Sequence, residues 1–202
     1  MANFSPPVVT VPPSMLSADT IWVIEPHADD AFLSLGWSIR EWSREGRRVS
    51  VVTVYTSDES RVKETQQWAE AIGVEWHGLG HVQPASSWFD PTDTVPPLPT
   101  PLLPATMMSP ASWRLWPLGL RHPEHIVVAN SAPDGDSYYL DTPYQFLSFN
   151  QGRVRKALVG RTIEWWLLPP RDKWADTRFF TSQAELFDRV DQLELVPEVI
   201  VR

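Results

Sequence analysis

Two short segments carry most of the side chains that can bind a metal or transfer a proton. One reads PHADD and the other RHPEH. In the first, His27 and Asp30 are three positions apart, and in the second, His122 and His125 have the same spacing. Residues at this spacing share one face of a helical first turn. Two histidines with one carboxylate are a common protein ligand set for catalytic zinc, which leaves a coordination position for water.

Both segments fall where a predicted buried strand meets a predicted helix. The run IWVI (21–24) indicates a strand buried on both faces, and apolar positions recur at helical spacing from 30 to 45. The alternation continues with a strand at 49–54, a helix at 59–72 and a strand at 74–79. This order favours a single α/β domain with a Rossmann-like three-layer fold and a mostly parallel central sheet. Ligands bind beyond the carboxyl ends of strands in such sheets, so we expect the two segments to meet there.

The composition excludes several classes of function. The net charge is −8 and the basic residues are scattered, so a nucleic-acid or anionic-membrane partner is not expected. The chain has no cysteine, which rules out thiol catalysis and cysteine-ligated zinc. No apolar stretch approaches the roughly 18 residues that span a bilayer. We therefore expect a cytoplasmic protein that acts on a small molecule, and leave homo-oligomerisation open.

Proline-rich stretches define the remaining organisation. Residues 1–18 are predicted to form an extended arm, followed by one catalytic domain at 19–202. Within this domain, 84–110 contains eight prolines and almost no periodicity. Loops of this length in compact domains are usually functional lids or disordered segments. We expect this one to control substrate access.

Other interpretations of the two segments must be weighed. Acidic residues are common in the first turn of a helix because they complement its dipole, so the aspartates alone indicate little. A non-haem iron oxygenase would use His27 and Asp29 with a distant histidine, whereas a hydrolase would use Asp30 and keep Asp29 out of the metal shell. A nucleotide-binding module would need a glycine-rich turn after the first strand, and PHADD stands there instead.

The order of these motifs resembles that of the LmbE-like (PIG-L) metal-dependent de-N-acetylases. The similar segments lie in the family's order between about residues 20 and 187, and they read PHADD, RVKETQQWAEAIG, PLGLRHPEH, SYYLDTPY and DKWADTRFFTSQ. The resemblance implies zinc or another divalent metal as cofactor. It also implies an N-acyl substrate, with an N-acetyl amino sugar or a glycosylated metabolite as the leading class.

The resemblance also assigns roles to individual residues. The metal ligands would be His27, Asp30 and His125. Asp29 would be the general base, and His122 the acid or oxyanion partner. The candidate substrate contacts are Arg61 and Arg121. Arg121 and Leu140 depart from the family pattern, so a degenerate homologue that binds metal without turnover is the non-enzymatic alternative.

Overall fold

A mixed sheet runs through the centre of the molecule in the computed structural model. The model describes residues 15, 17–83, 98, 105–120, 122–142, 151–187 and 196–202. The strands of the described residues are β1 (Thr20–Glu25), β2 (Arg48–Tyr55), β3 (Glu75–His81), β4 (Ser112–Pro117), β5 (Ser137–Tyr139), β6 (Ile163–Leu167) and β7 (Glu198–Val201). Their order across the sheet is β3-β2-β1-β4-β5-β7-β6.

Strand β1 lies in the parallel part of the sheet, between β2 and β4. Val23 pairs with Val51 on one side and with Leu115 on the other. All six residues of β1 are buried. The apolar run that predicted this strand is therefore explained by helices and loops covering both faces. Pairing of β2 with β3 and of β4 with β5 is parallel as well, which confirms the predicted α/β fold with a mostly parallel sheet.

Helices connect the parallel strands, as the apolar periodicity predicted. The helices of the described residues are α1 (Asp30–Arg44), α2 (Glu59–Ala71), α3 (Pro123–Asn130), α4 (Gln151–Leu158) and α5 (Ala184–Phe187). Two glycines stop the first two helices, because Gly46 and Gly73 have φ values of 80° and 73°, a conformation that other residues rarely adopt. None of the described helices is both long and apolar enough to cross a membrane.

The carboxyl-terminal part of the sheet differs from the parallel pattern. Strand β7 inserts between β5 and β6 and runs antiparallel to both. The sequence did not indicate this strand. The described residues between β6 and β7 include a short 3₁₀ turn at Thr181–Gln183 and then α5. Most of the predicted arm and of the proline-rich segment lies outside the described residues.

A buried ion pair joins β7 to α1. Lys173 lies in the 3₁₀ segment Arg171–Phe179, and its Nζ is 2.8 Å from Oε1 of Glu198. It also donates to the carbonyl oxygen of Leu33 at 2.8 Å. Glu198 accepts the backbone N–H of Trp37 at 3.0 Å and that of Ser38 at 2.9 Å. Both charged side chains are fully buried, and together they fix the middle of α1 against the sheet.

Candidate metal centre

The turn between β1 and α1 presents His27 and Asp30 at the carboxyl end of the sheet. Asp30 Oδ2 accepts the backbone N–H of His27 at 2.9 Å and lies 3.2 Å from His27 Nδ1. Glu25, the last residue of β1, stabilises this turn and is completely buried. Its carboxylate accepts the N–H of Ala31 at 2.7 Å and the hydroxyl of Thr53 at 2.6 Å. Burial raises the pKa of Glu25 to about 8 despite these hydrogen bonds.

The second histidine segment forms the start of α3. His122 is the N-cap residue and Pro123 occupies the first helical position, which suits proline because its missing N–H has no partner there. The preceding turn requires Gly119, whose φ is 75° and whose position leaves no room for a side chain beside Ala129. This turn aims His125 back toward the end of β1.

The two segments converge at the carboxyl end of the parallel strands, as the sequence predicted. His125 Nε2 lies 3.2 Å from Asp30 Oδ2. The rings of His27 and His125 have centroids 5.3 Å apart, and those of His27 and His122 are 5.1 Å apart. All four side chains are buried. Three donor atoms therefore face one another, one each from His27, Asp30 and His125.

The spacing of these donors fits a divalent metal. Their ligand atoms lie within 4.8 Å of one another. Two donors that are each about 2.0–2.1 Å from a tetrahedral zinc are about 3.3 Å apart, close to the 3.2 Å of the His27–Asp30 and His125–Asp30 pairs. Two imidazoles and a carboxylate also match the ligand chemistry of zinc. The cluster is compatible with a bound divalent cation.

Electrostatics in the cluster favour a cation. Burial opposes charge on His125, yet Asp30 and Asp141 raise its pKa to about 10. Burial likewise opposes charge on His27, and contacts with Asp30 and Glu124 raise its pKa above the usual value. Burial alone would raise the pKa of Asp30, but the two histidines hold it well below its ordinary range. A metal that binds through His125 must therefore displace a proton from this ring.

Each of these two histidines also contacts a carboxylate on its other nitrogen. His125 Nδ1 lies 3.3 Å from Asp141 Oδ1, while Asp141 Oδ2 accepts the N–H of Leu120 at 2.9 Å. His27 Nε2 contacts Oε2 of Glu124, which is fully buried. The sequence indicated no role for Glu124. Its position between the two histidines of RHPEH was the available signal.

Asp29 points to a different partner. Its Oδ1 forms an ion pair with Arg61 Nη2 at 2.5 Å, and only 2% of the Asp29 side chain is exposed. Asp29 belongs to neither of the two groups of possible ligands in the described residues. This arrangement is the one expected of a hydrolase and disfavours the oxygenase alternative, which required Asp29 as a ligand. It also gives Arg61 an ion-pair partner that the sequence did not indicate.

His122 and Tyr55 lie beside His27 at the edge of the cluster. Burial and the neighbouring histidines lower the pKa of His122 to about 3, so its imidazole is neutral at neutral pH. A neutral imidazole donates through one N–H. The Tyr55 ring stacks on His27 with centroids 5.8 Å apart. Arg121 lies outside the described residues, and Leu140 is buried in an apolar cluster with Leu118.

The fold and the site together define an α/β protein with a candidate metal centre at the carboxyl end of its sheet. Similar folds occur in solved enzymes. A deacetylase of the teicoplanin biosynthesis pathway is 16% identical, with a TM-score of 0.58 over 86% of this chain and 90% of that chain. The A40926 pseudoaglycone deacetylase Dbv21 is 15% identical, with a TM-score of 0.55 over 85% of each chain.

A third neighbour catalyses a different reaction. The 4-carboxy-2-hydroxymuconate hydratase GalB from Pseudomonas putida is 13% identical, with a TM-score of 0.55 over 87% of this chain and 84% of that chain. No protein-family profile and no curated protein matches the sequence. The chain has the fold of the LmbE-like (PIG-L) deacetylases, which confirms the predicted resemblance. Because one fold hosts several reactions, its activity must be argued from the site.

Proposed function

We propose that the protein is a zinc-dependent amide hydrolase that removes an acyl group from an amine of a small molecule. The metal ligands are His27, Asp30 and His125. Asp29 is the general base, and His122 stabilises the oxyanion. The observation that carries the proposal is the meeting of three ligand atoms 3.2 Å apart in successive pairs, beside a fourth side chain, Asp29, that an ion pair holds outside the ligand set.

The residues around the centre suit amide hydrolysis. His27, Asp30 and His125 would hold a divalent ion, which would supply a Lewis acid and make water a nucleophile near neutral pH. Asp29 accepts a proton from the attacking water and later delivers it to the departing amine, which is a poor leaving group unless protonated. His122 donates its N–H to the oxygen that becomes negative as the carbonyl is attacked.

Arg61 has a positioning role in this scheme. The resemblance made Arg61 a candidate substrate contact, and in the structure its guanidinium contacts Asp29 and its side chain is 22% exposed. Desolvation opposes the charge on Arg61, and Asp29 more than compensates, raising the pKa of the guanidinium above its usual value. A permanently charged partner keeps Asp29 aimed in one direction, which general-base catalysis requires.

The proposed substrate class is an N-acyl amino sugar or a glycosylated metabolite carrying one. The predicted resemblance supports this class, and so do two solved neighbours: one is described as a deacetylase–teicoplanin complex, and the other acts on A40926 pseudoaglycone. The cytoplasmic location, homo-oligomerisation and the substrate contacts by Arg61 and Arg121 stay predictions.

A direct test combines metal loading with an amine-release assay. Purified protein is stripped with a chelator, reloaded with zinc, and supplied with N-acetylglucosamine and N-acylated glycopeptides. We expect release of a free amine only after reloading. Asp29→Asn should lower kcat by about 10²–10⁴-fold while retaining zinc, because it removes the base but no ligand. Asp30→Asn should lose both zinc and activity.

The matched control is Glu75→Gln. Glu75 lies on β3, and its carboxylate is 62% exposed and distant from the metal cluster. This variant should keep the parental rate and zinc content. Parental turnover by Asp29→Asn would disprove the base assignment. Absence of amine release from every N-acyl substrate, with zinc bound, would reject the hydrolase proposal.

A further inference from the structure

Glu124 occupies an unusual position for a carboxylate. Glu124 is the second residue of α3 and is fully buried. Its Oε2 contacts His27 Nε2. The other nitrogen of the same ring, Nδ1, faces Asp30 Oδ2 at 3.2 Å. His27 therefore lies between two carboxylates, one on each ring nitrogen.

We propose that Glu124 is a positioning residue that fixes the tautomer of His27. A neutral imidazole has one N–H and one lone pair, so a proton held on Nε2 by Glu124 leaves the lone pair of Nδ1 facing Asp30. Histidine ligands generally donate their second nitrogen to a carboxylate, which sets ring orientation and basicity. This inference rests on the proposed function, because it assumes the metal centre proposed there. It adds which ring nitrogen of His27 binds the metal, namely Nδ1.

The other histidine ligand shows the same arrangement with the nitrogens exchanged. Asp141 contacts His125 Nδ1 at 3.3 Å, and His125 Nε2 faces Asp30 at 3.2 Å. Each histidine thus turns one nitrogen to Asp30 and the other to a buried carboxylate. This correspondence favours Glu124 as the counterpart of Asp141.

A second group of possible ligands must be distinguished from this arrangement. His27, His122 and Glu124 also offer ligand atoms within 4.8 Å of one another. A metal there would take the Nε2 lone pair of His27, and one neutral ring cannot supply both nitrogens. The two positions are therefore mutually exclusive.

The contacts of Glu124 favour a hydrogen-bonding role. Its Oε2 already accepts the side-chain N–H of Gln83 at 3.3 Å in addition to contacting His27. The position next to Asp30, in contrast, has two donor pairs at the 3.2 Å spacing of a tetrahedral zinc and lies beside the Asp29–Arg61 ion pair. The geometry places the metal beside Asp30 and the N–H of His27 on Nε2, where Glu124 accepts it.

The contact between Glu124 and His27 depends on the length of the Glu124 side chain. A shortened carboxylate at position 124 would be withdrawn by about 1.5 Å, one carbon–carbon bond. It would no longer reach His27 Nε2 from its present backbone position. Glu124→Asp should therefore behave more like Glu124→Ala than like Glu124→Gln, which keeps the length and one acceptor oxygen.

The decisive measurement uses zinc-loaded parental protein with ¹⁵N-labelled histidine. Ring ¹⁵N shifts and couplings should show His27 bound to zinc through Nδ1 and protonated at Nε2. Binding through Nε2 would overturn the proposal. This measurement needs no variant and no substrate. A role of Glu124 in fold stability alone would not determine which nitrogen of His27 carries the proton.

Zinc affinity of the variants provides an independent test. Competition with a chelator should give an order of parental protein, then Glu124→Gln, then Glu124→Asp and Glu124→Ala, with the last weaker by about 10–100-fold. Gln83→Ala is the control, because it removes a contact of Glu124 without touching His27, and it should stay close to the parental value. Equal affinities across the series would overturn the proposal.

Two further outcomes separate the inference from the proposed function. If Glu124→Ala abolishes zinc binding while Asp30→Ala retains it, Glu124 is a ligand and the positioning role is wrong. If His27 binds zinc through Nδ1 but the enzyme releases no amine from any N-acyl substrate, the positioning role stands and the hydrolase proposal fails.

Discussion

Replacement of Lys173 by methionine tests whether the buried ion pair stabilises the packing of α1 against β7. Lys173 and Glu198 have side chains with no exposed surface, and their charged atoms are 2.8 Å apart. Methionine has a similar length and leaves Glu198 charged and buried without its cation. Removal of one partner from such a pair typically costs about 3–5 kcal/mol.

The variant should therefore melt well below the parental protein. For a domain of this size, each kcal/mol shifts Tm by about 2–4 °C, so we expect a decrease of about 6–20 °C. Differential scanning calorimetry and urea unfolding measure the change. The double variant with Glu198→Gln should recover part of the loss, because it removes the unpaired charge. Lys156→Met, at an exposed position of α4, is the matched control and should change Tm little.

The same lysine also affects the pH dependence of stability. Burial lowers the pKa of Lys173 below its ordinary 10.5 despite the opposing effect of Glu198. In the interval just below pH 10.5 the unfolded chain then binds more protons than the folded protein, so this residue makes the unfolding free energy rise with pH. The methionine variant should lack that contribution. A loss of less than about 1 kcal/mol with the parental pH dependence would refute the role given to the ion pair.

Three further predictions concern Asp141 beside the metal ligand His125, the bound metal itself, and a tertiary contact of α2. Asp141→Ala should weaken zinc binding by about 10–100-fold because it releases His125, and a chelator competition without that loss would contradict the assignment. Chelator treatment should lower Tm, since free zinc at 1,000 times its Kd contributes about 4 kcal/mol, and an unchanged Tm would argue against a metal centre. Glu64→Ala should destabilise the fold by about 3 kcal/mol in urea unfolding, because the carboxylate accepts hydrogen bonds from both Thr181 and Ser182. A loss within about 0.5 kcal/mol would show that this link is dispensable.

Much of the fold was predictable because local patterns determine it. The apolar runs of β1 and β2 and the helical spacing in α1 and α2 predicted those elements to within one or two residues. Because the carboxyl ends of parallel strands meet at one edge of a sheet, the sequence also predicted that His27 lies near His125. The ligand cluster was predictable for the same reason.

The remaining features depend on contacts between residues far apart in the chain. Strand β7 has four residues and no distinctive pattern, and its place between β5 and β6 is set by tertiary packing. The contact between His27 and Glu124 joins residues 97 positions apart. Asp29 and Arg61 belong to two separate sequence motifs, so their ion pair could not be predicted from the sequence.

The place of β7 in the sheet affects the order in which strands can pair during translation. Within the described strands, β6 pairs with β7 alone, yet β7 leaves the ribosome after it. The residues of the metal cluster, by contrast, have all been synthesised by position 125. During translation, all residues of the metal cluster are therefore available before β6 can pair with β7.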